Sequence, residues 1–411
     1  MSIPSEPNLM SQPDRLNNPS SNPSGNPFIY FLPIGFLVYT LLSAYQIDFR
    51  AFYVAARSVL LNLDPYLNPV TQFPELYAAI NAEDAIASGF IYPPLAALLF
   101  LPLGLFSYGT SKIIFSALIL TSLIGLCLLS TKKRNDGLSI PGEAFLFVTC
   151  SFPLLATFER GQIDLVIVLL TWLSFYLYRS QKLVQSALLL GLAICIKIFP
   201  AIVIIYYLIK RQFRIAAYSI ASTLILFSLP LLYFKPSVYL HFFQFVIPSL
   251  FGKITGSETV TTHGQRVVNN VVQAVEGNGL FAMQDFSNGF MNPLLLNNTI
   301  GCFIVGSILL AILLRVTRRT DLTYQFYVML NVINFINPRA WIMGLVWYIP
   351  LFLHLYPRVK SNRDRFFILL PLFMPPFTNL NGFLAYIVAI VFGRSETIGF
   401  ARKEQIQPKQ T

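Results

Sequence analysis

The chain is 411 residues long, 55% hydrophobic and only 11% charged, with a mean hydropathy of +0.62. A soluble domain carries about 25% charged residues, so this composition excludes an ordinary soluble enzyme and reads as an all-α polytopic membrane protein. The net charge of +11 then marks basic cytoplasmic loops and excludes a nucleic-acid partner.

Residues 1–27 hold six Pro, six Ser and five Asn without an apolar period, and are expected to be a disordered polar tail. The run Phe28–Gln46 has 19 uncharged residues, enough to span. A polar stretch follows, beginning Asp48-Phe49-Arg50, turning at Asp64-Pro65-Tyr66 and ending in Tyr92-Pro93-Pro94-Leu95. The next apolar run, Tyr92–Phe106, has 15 residues and three prolines. At about 1.5 Å per residue it is too short for a ~30 Å core, so it is expected to lie in the outer interface. Residues 47–108 thus form a first extracytoplasmic loop.

The remaining runs alternate between basic turns. Ile113–Ser130 reaches Lys132-Lys133-Arg134, Ala144–Phe158 goes out to Glu159-Arg160-Gly161-Gln162, and Asp164–Tyr178 returns. Residues 183–209 go out and back, turning near Lys197 and Pro200. Ile215–Phe234 goes out to a long outer loop at 235–294. Leu295–Leu314, Thr323–Ile336 and Ile342–Tyr356 follow. The broken run 366–392 makes a last pair before a cytoplasmic tail at 394–411. Five short inner loops then hold about half of the 29 Lys and Arg, as orientation by positive charge requires. The expectation is one transmembrane domain, residues 28–393, of about eleven helices (roughly nine to thirteen).

Charges beside a membrane are costly and therefore informative. On this topology Asp48, Arg57, Arg160, Asp164, Lys197, Arg266 and Arg339 gather on the outer side. Cations there suit a phosphate ester, and a carboxylate suits removal of a proton from an attacking hydroxyl. Asp48 is the candidate base, and it is equally a candidate N-cap for the helix that follows, two roles that are compatible. Lys197, in an apolar stretch, has to snorkel, pair or bind phosphate. Arg160, Gln162 and Asp164 form either a binding turn or an ordinary polar turn with a local ion pair. His241, His263 and His354 have no ligand spacing, so no metal site is expected. The four cysteines lie in apolar runs at no metal spacing and read as packing residues. There is no phosphate-binding loop and no dinucleotide fingerprint.

The blocks Asp48-Phe49…Tyr53…Ala55-Ala56…Asp64-Pro65-Tyr66 and Phe90-Ile91-Tyr92-Pro93-Pro94-Leu95 resemble the opening of glycosyltransferase family 87. So do Gly161-Gln162-Ile163-Asp164, the Gly191…Lys197…Pro200 block, a looser Val268-Asn269-Asn270-Val271, and Asn337-Pro338…Trp341, over about residues 28–360. The resemblance implies a GT-C-like helical bundle that transfers a sugar, mannose in the best-known members, from a polyprenyl phosphate. It implies Asp48 as catalytic base and Lys197, Arg160, Arg339 and Arg266 around the donor phosphate. Arg57, Tyr66, Tyr92, Gln162, Asp164, Asn269, Asn270 and Trp341 are the implied substrate contacts. The implied partners are membrane lipids, the polyprenyl-phosphate sugar and a lipid or glycan acceptor at the outer face of the plasma membrane, with no tightly bound cofactor or metal. Where the family often has His after the late Trp, this chain has Ile342, Met343 and Gly344. The rival readings are a lipid transporter, which the one-sided charges oppose, and a non-catalytic assembly protein of the same fold.

Overall fold

The structure, a computed structural model, describes residues 46–66, 90–132, 142–247, 299–336, 342–374 and 380–406, with positions 34, 35 and 38. Among these residues every regular element is helical and there is no strand. Two helices, Tyr108–Ser130 and Phe213–Leu232, are long and apolar enough to cross a membrane, and a third crossing follows if one bent pair counts as a single span. The other expected spans that fall in described residues are built from shorter helices.

Helix α1, Ile47–Leu60, carries Asp48 in its first turn. Its face is nearly all apolar or small, and Phe49, Phe52, Val54, Ala55, Ala56 and Val59 are fully buried. After residue 90 the chain forms α2, Pro94–Leu99, and a 3-10 turn, Leu101–Leu105. Six residues of α-helix rise only about 9 Å, which fits a surface element and not a crossing. Gly104 lets this turn lie on α1, since a Cβ there would sit 2.9 Å from Leu60 Cδ1 and 3.0 Å from the Ala56 carbonyl carbon.

Helix α3 is Tyr108–Lys132. The run expected as a straight span over Ala144–Phe158 is instead two helices, α4 (Gly142–Thr149) and α5 (Phe152–Arg160), bent by 50°. Pro153, near the start of α5, has no N–H to continue the ladder and its ring crowds the preceding turn. Helix α6, Asp164–Arg179, turns at Ser180–Lys182 into α7, Leu183–Ile196, which returns alongside it. Ser174 Oγ donates to the Ser186 carbonyl at 2.7 Å across this hairpin. Asp164 and Ile196 therefore lie at the same end, and Arg179 at the other.

The break expected near Lys197 is present. Lys197 is extended (φ −150°), a 3-10 turn covers Phe199–Ala201, and α8, Ile202–Ile209, brings Tyr207 back to within 5.0 Å of the Tyr178 ring. Helix α9, Phe213–Ser228, packs closely on α7: a Cβ on Gly191 would meet Ser222 Oγ at 2.6 Å. A 3-10 turn, Leu229–Leu232, leads to α10, Pro236–His241, followed directly by a π-helix, Phe242–Val246.

The C-terminal third supplies the other half of the core. Helices α11 (Thr299–Val316), α12 (Leu322–Leu330) and α13 (Ile333–Ile336) are followed by a 3-10 stretch, Ile342–Tyr348. Then come α14 (Ile349–Leu355), α15 (Asn362–Phe373) and α16 (Asn381–Ile406). Asp321 caps α12 by accepting from the Tyr324 N–H at 2.8 Å. The two halves meet where Phe175 of α6 stacks on Phe326 of α12, centroids 3.9 Å apart.

Candidate active site

The start of α1 is set by Gln46, whose left-handed backbone (φ 59°) opens the helix two residues before Asp48. The Gln46 side chain is 1% exposed and donates to Ser116 Oγ and to the Phe158 carbonyl, both at 2.9 Å. One buried amide thus ties α1 to α3 and α5. Asp48 is consequently not the N-cap. It lies inside the first turn, and its carboxylate accepts from other segments and not from the amides of its own helix.

Those other segments come from the turn after α5. Gly161 adopts φ +68°, and a Cβ there would fall 2.6 Å from Phe49 Cβ and 2.9 Å from Gln46 Cβ. Only glycine permits both the conformation and the contact. The turn therefore presses against the first turn of α1, with Arg160 and Gln162 on either side. Arg160 Nε donates to Asp48 Oδ2 at 2.8 Å and Nη2 to Oδ1 at 3.3 Å, while Gln162 Nε2 donates to Oδ2 at 2.9 Å. The Asp48 side chain keeps 22% of its exposure. A carboxylate offers about four acceptor positions, so Oδ1, which carries a single long hydrogen bond, retains room for an incoming hydroxyl.

A second acid–cation pair forms at the same end. Asp164, in the first turn of α6, is 4% exposed. Lys197, freed from α7 by the break, donates Nζ to both Asp164 oxygens at 2.8 Å. Arg160 and Asp164, open in the sequence to a binding role or a local ion pair, thus each pair with a distant segment. Of the readings open for Lys197, the structure shows pairing.

Tyr92 packs beside the Asp48 end of α1. Its ring packs 4.2 Å from Phe52, one helical turn beyond Asp48 on the same face of α1. Its hydroxyl is pushed well above its ordinary pKa, first by burial and then by the Asp48 and Asp164 carboxylates, with Arg160 opposing. Tyr66 adjoins it, donating its hydroxyl to the Tyr92 carbonyl at 2.8 Å. Arg57, in the last turn of α1, lies about 13 Å along the helix from Asp48. It donates to the Gly104 carbonyl at 3.1 Å, so it anchors the surface turn and does not join the cluster. Arg266, Asn269, Asn270, Arg339 and Trp341 lie outside the described residues.

One close pair was not anticipated. His241 Nδ1 and Asp64 Oδ2 are 2.6 Å apart. The two residues are 177 positions apart in the chain, and no local spacing announces them; the only trace is an acid in a tight Asp-Pro-Tyr turn with no assigned partner. No group of three or more His, Cys, Asp or Glu side chains able to hold a metal occurs among the described residues.

An all-helical apolar fold that gathers a half-buried carboxylate, two cations and an amide from distant segments defines a membrane protein with a built polar site. The chain belongs to glycosyltransferase family 87, whose model matches residues 90–354. That stretch includes Tyr92, Arg160, Gln162, Asp164 and Lys197; Asp48 precedes it. Among curated relatives, the chain is 33% identical over 136 residues to a polyprenol-phosphate-mannose-dependent alpha-(1-2)-phosphatidylinositol pentamannoside mannosyltransferase of Mycolicibacterium smegmatis, covering 32% of each chain. It is 30% identical over 136 residues to the protein of the same description from Mycobacterium tuberculosis, covering 32% of this chain and 31% of that one. A polyprenol-phosphate-mannose-dependent alpha-(1-2)-phosphatidylinositol mannoside mannosyltransferase of M. smegmatis is 28% identical over 177 residues. The match thus spans about a third of the length of these relatives. No solved structure matches the chain.

Proposed function

We propose that this protein is a membrane glycosyltransferase that moves a sugar, mannose, from a polyprenyl-phosphate donor to a hydroxyl of a lipid or glycan acceptor, with inversion at the sugar C1. The observation that carries the reading is the Asp48 carboxylate, held by Arg160 and Gln162 yet still open on one oxygen. Asp48 takes the proton of the acceptor hydroxyl as its oxygen bonds to C1. The bond between C1 and the phosphate oxygen breaks, and the polyprenyl phosphate leaves with the electron pair. In this reading the cations beside the two acids, Lys197 and Arg160, meet the growing phosphate charge. The names of the relatives support the donor, and their phosphatidylinositol mannosides suggest a glycolipid acceptor.

The multi-pass arrangement, with about eleven crossings and the site on the extracytoplasmic side, is part of the same proposal. It rests on the basic turns between the apolar runs. On this arrangement α2 and the 101–105 turn lie at the outer membrane surface, beside the site.

The test is transfer of radiolabelled mannose from polyprenyl-phosphate mannose in membranes that contain the wild type or Asp48→Asn. The amide keeps the shape and loses the base, so transfer should fall by about a hundredfold or more with the protein still folded. Equal transfer by the two proteins would remove Asp48 from the reaction.

A further inference from the structure

The His241–Asp64 pair lies outside the cluster at Asp48, and nothing in the proposed chemistry uses it. Its geometry is nonetheless tight. The 2.6 Å contact joins side chains that are 24% and 11% exposed. As a carboxylate, Asp64 can only accept, so the shared proton belongs to His241 Nδ1. The second Asp64 oxygen accepts from the Tyr66 backbone N–H at 2.8 Å. This closes the Asp64-Pro65-Tyr66 turn in the manner of an Asx turn. Asp64 is thereby held from both sides, and it fixes where Tyr66 points.

Tyr66 passes this position onward. Its hydroxyl donates to the Tyr92 carbonyl, and its ring lies 5.5 Å from Phe90 and 5.6 Å from Phe242. Tyr92 packs on Phe52 across the Asp48 face of α1. The path from His241 runs through Asp64, Tyr66 and Tyr92 to Phe52, one helical turn from Asp48 on the same face of α1. A second feature marks the same place: the chain leaves His241 directly into the π-helix Phe242–Val246. Such turns are rare and concentrate at functional sites.

We propose that His241 and Asp64 are positioning residues for sugar transfer: together they clamp the Asp64–Tyr66 turn, which holds Tyr92 in register with Asp48, and so tie the segment after α9 to the active site. The proposal rests on the glycosyltransferase reading above for its effect on rate, though not for the clamp itself. A shift of about 1 Å in a group beside the reacting atoms can cost a hundredfold in rate, so a clamp at this distance has leverage without touching substrate.

The experiment compares the full-length wild type with His241→Phe, His241→Asn and Tyr66→Phe. Asparagine offers an N–H where the imidazole has Nδ1, whereas phenylalanine fills the space without a donor. Transfer from polyprenyl-phosphate mannose in membranes should fall at least tenfold in kcat for His241→Phe, with KM for the donor nearly unchanged. His241→Asn should recover to within about threefold of the wild type. Tyr66→Phe should lower kcat in the same direction, and the Phe/Phe double variant should be no slower than the worse single one, because both break one path. Independent effects that multiply, or a full rate in His241→Phe, would overturn the proposal.

Hydrogen exchange on the same proteins reads the clamp without activity. Exchange over residues 90–99 should rise in His241→Phe and Tyr66→Phe and return toward wild type in His241→Asn. Unchanged exchange would overturn the clamp even if rates fall. Altered exchange with no mannose transfer by the wild type would instead keep the clamp and sink the enzymatic reading.

Discussion

The two ends of the helix bundle treat charge in opposite ways. At the end where α5 stops and α6 begins, acids meet cations or an imidazole from distant segments at short range and in partial burial: Asp48 with Arg160 at 2.8 Å, Asp164 with Lys197 at 2.8 Å, and Asp64 with His241 at 2.6 Å. At the end where α4 begins, the pairs are loose and wet. Arg363 and Asp364 are chain neighbours 3.5 Å apart, with side chains 90% and 39% exposed, and Arg365 lies 4.0 Å from a Glu143 that is 65% exposed. Solvated pairs of that kind contribute ~0–1 kcal/mol. Desolvating an ion costs several kcal/mol unless good geometry offsets it. Among the described residues the short, partly buried acid–cation pairs stand at the first end and the exposed ones at the other, which supports the first end as the place of the chemistry.

Lys197→Met should produce the largest loss of stability. It leaves Asp164 buried with only the N-terminus of α6 to balance it. Breaking one partner of such a pair typically costs about 3–5 kcal/mol, and the exposure of Lys197 puts this case near the lower figure. Adding Asp164→Asn removes the stranded charge, so the double variant should melt closer to wild type while mannose transfer stays low. If the double variant melts no higher than Lys197→Met, the pair is not what the lysine supplies.

Gly161→Ala should come next. A left-handed conformation at a residue with a Cβ costs on the order of 1–3 kcal/mol, and here the new carbon would also meet Phe49 Cβ at 2.6 Å. Because that contact seats the Arg160 turn on α1, transfer should fall by more than the melting temperature alone explains. An alanine variant with wild-type transfer would mean that the turn can move without disturbing Asp48.

Most of the polar cluster was legible in the sequence. Asp48, Arg160, Gln162, Asp164 and Lys197 stand out because a charged or amide side chain is conspicuous in an apolar chain. Who pairs with whom was not legible, since Asp48 and Arg160 are 112 residues apart and only the left-handed Gly161 brings them together. The cap role open to Asp48 in the sequence falls to Gln46, which in a left-handed conformation starts the helix earlier. That Arg57 stands about 13 Å of helical rise from Asp48 shows only once both are placed on one helix. The break at Lys197 was visible from Pro200, but the 50° bend at Pro153 was passed over, because apolar length says nothing of axis direction.

Glu143→Gln should have the smallest effect, and it tests the other side of the comparison. Glu143 accepts from the Tyr356 hydroxyl at 3.2 Å, and a glutamine oxygen can still do so. Arg365 keeps its place by other means, donating Nε to the Val359 carbonyl at 3.0 Å and lying 5.2 Å over the Tyr356 ring. What disappears is a 4.0 Å ion pair in high dielectric, which salt already screens. The melting shift should correspond to less than about 0.5 kcal/mol, rising only slightly at low salt where the pair is less screened. Mannose transfer should be unchanged, because among the described residues no chain of polar contacts links Glu143 to Asp48. A loss of about 2 kcal/mol or more, or a fall in transfer, would mean that both ends of the bundle carry buried electrostatics, and the one-sided placement of the chemistry would no longer follow from charge.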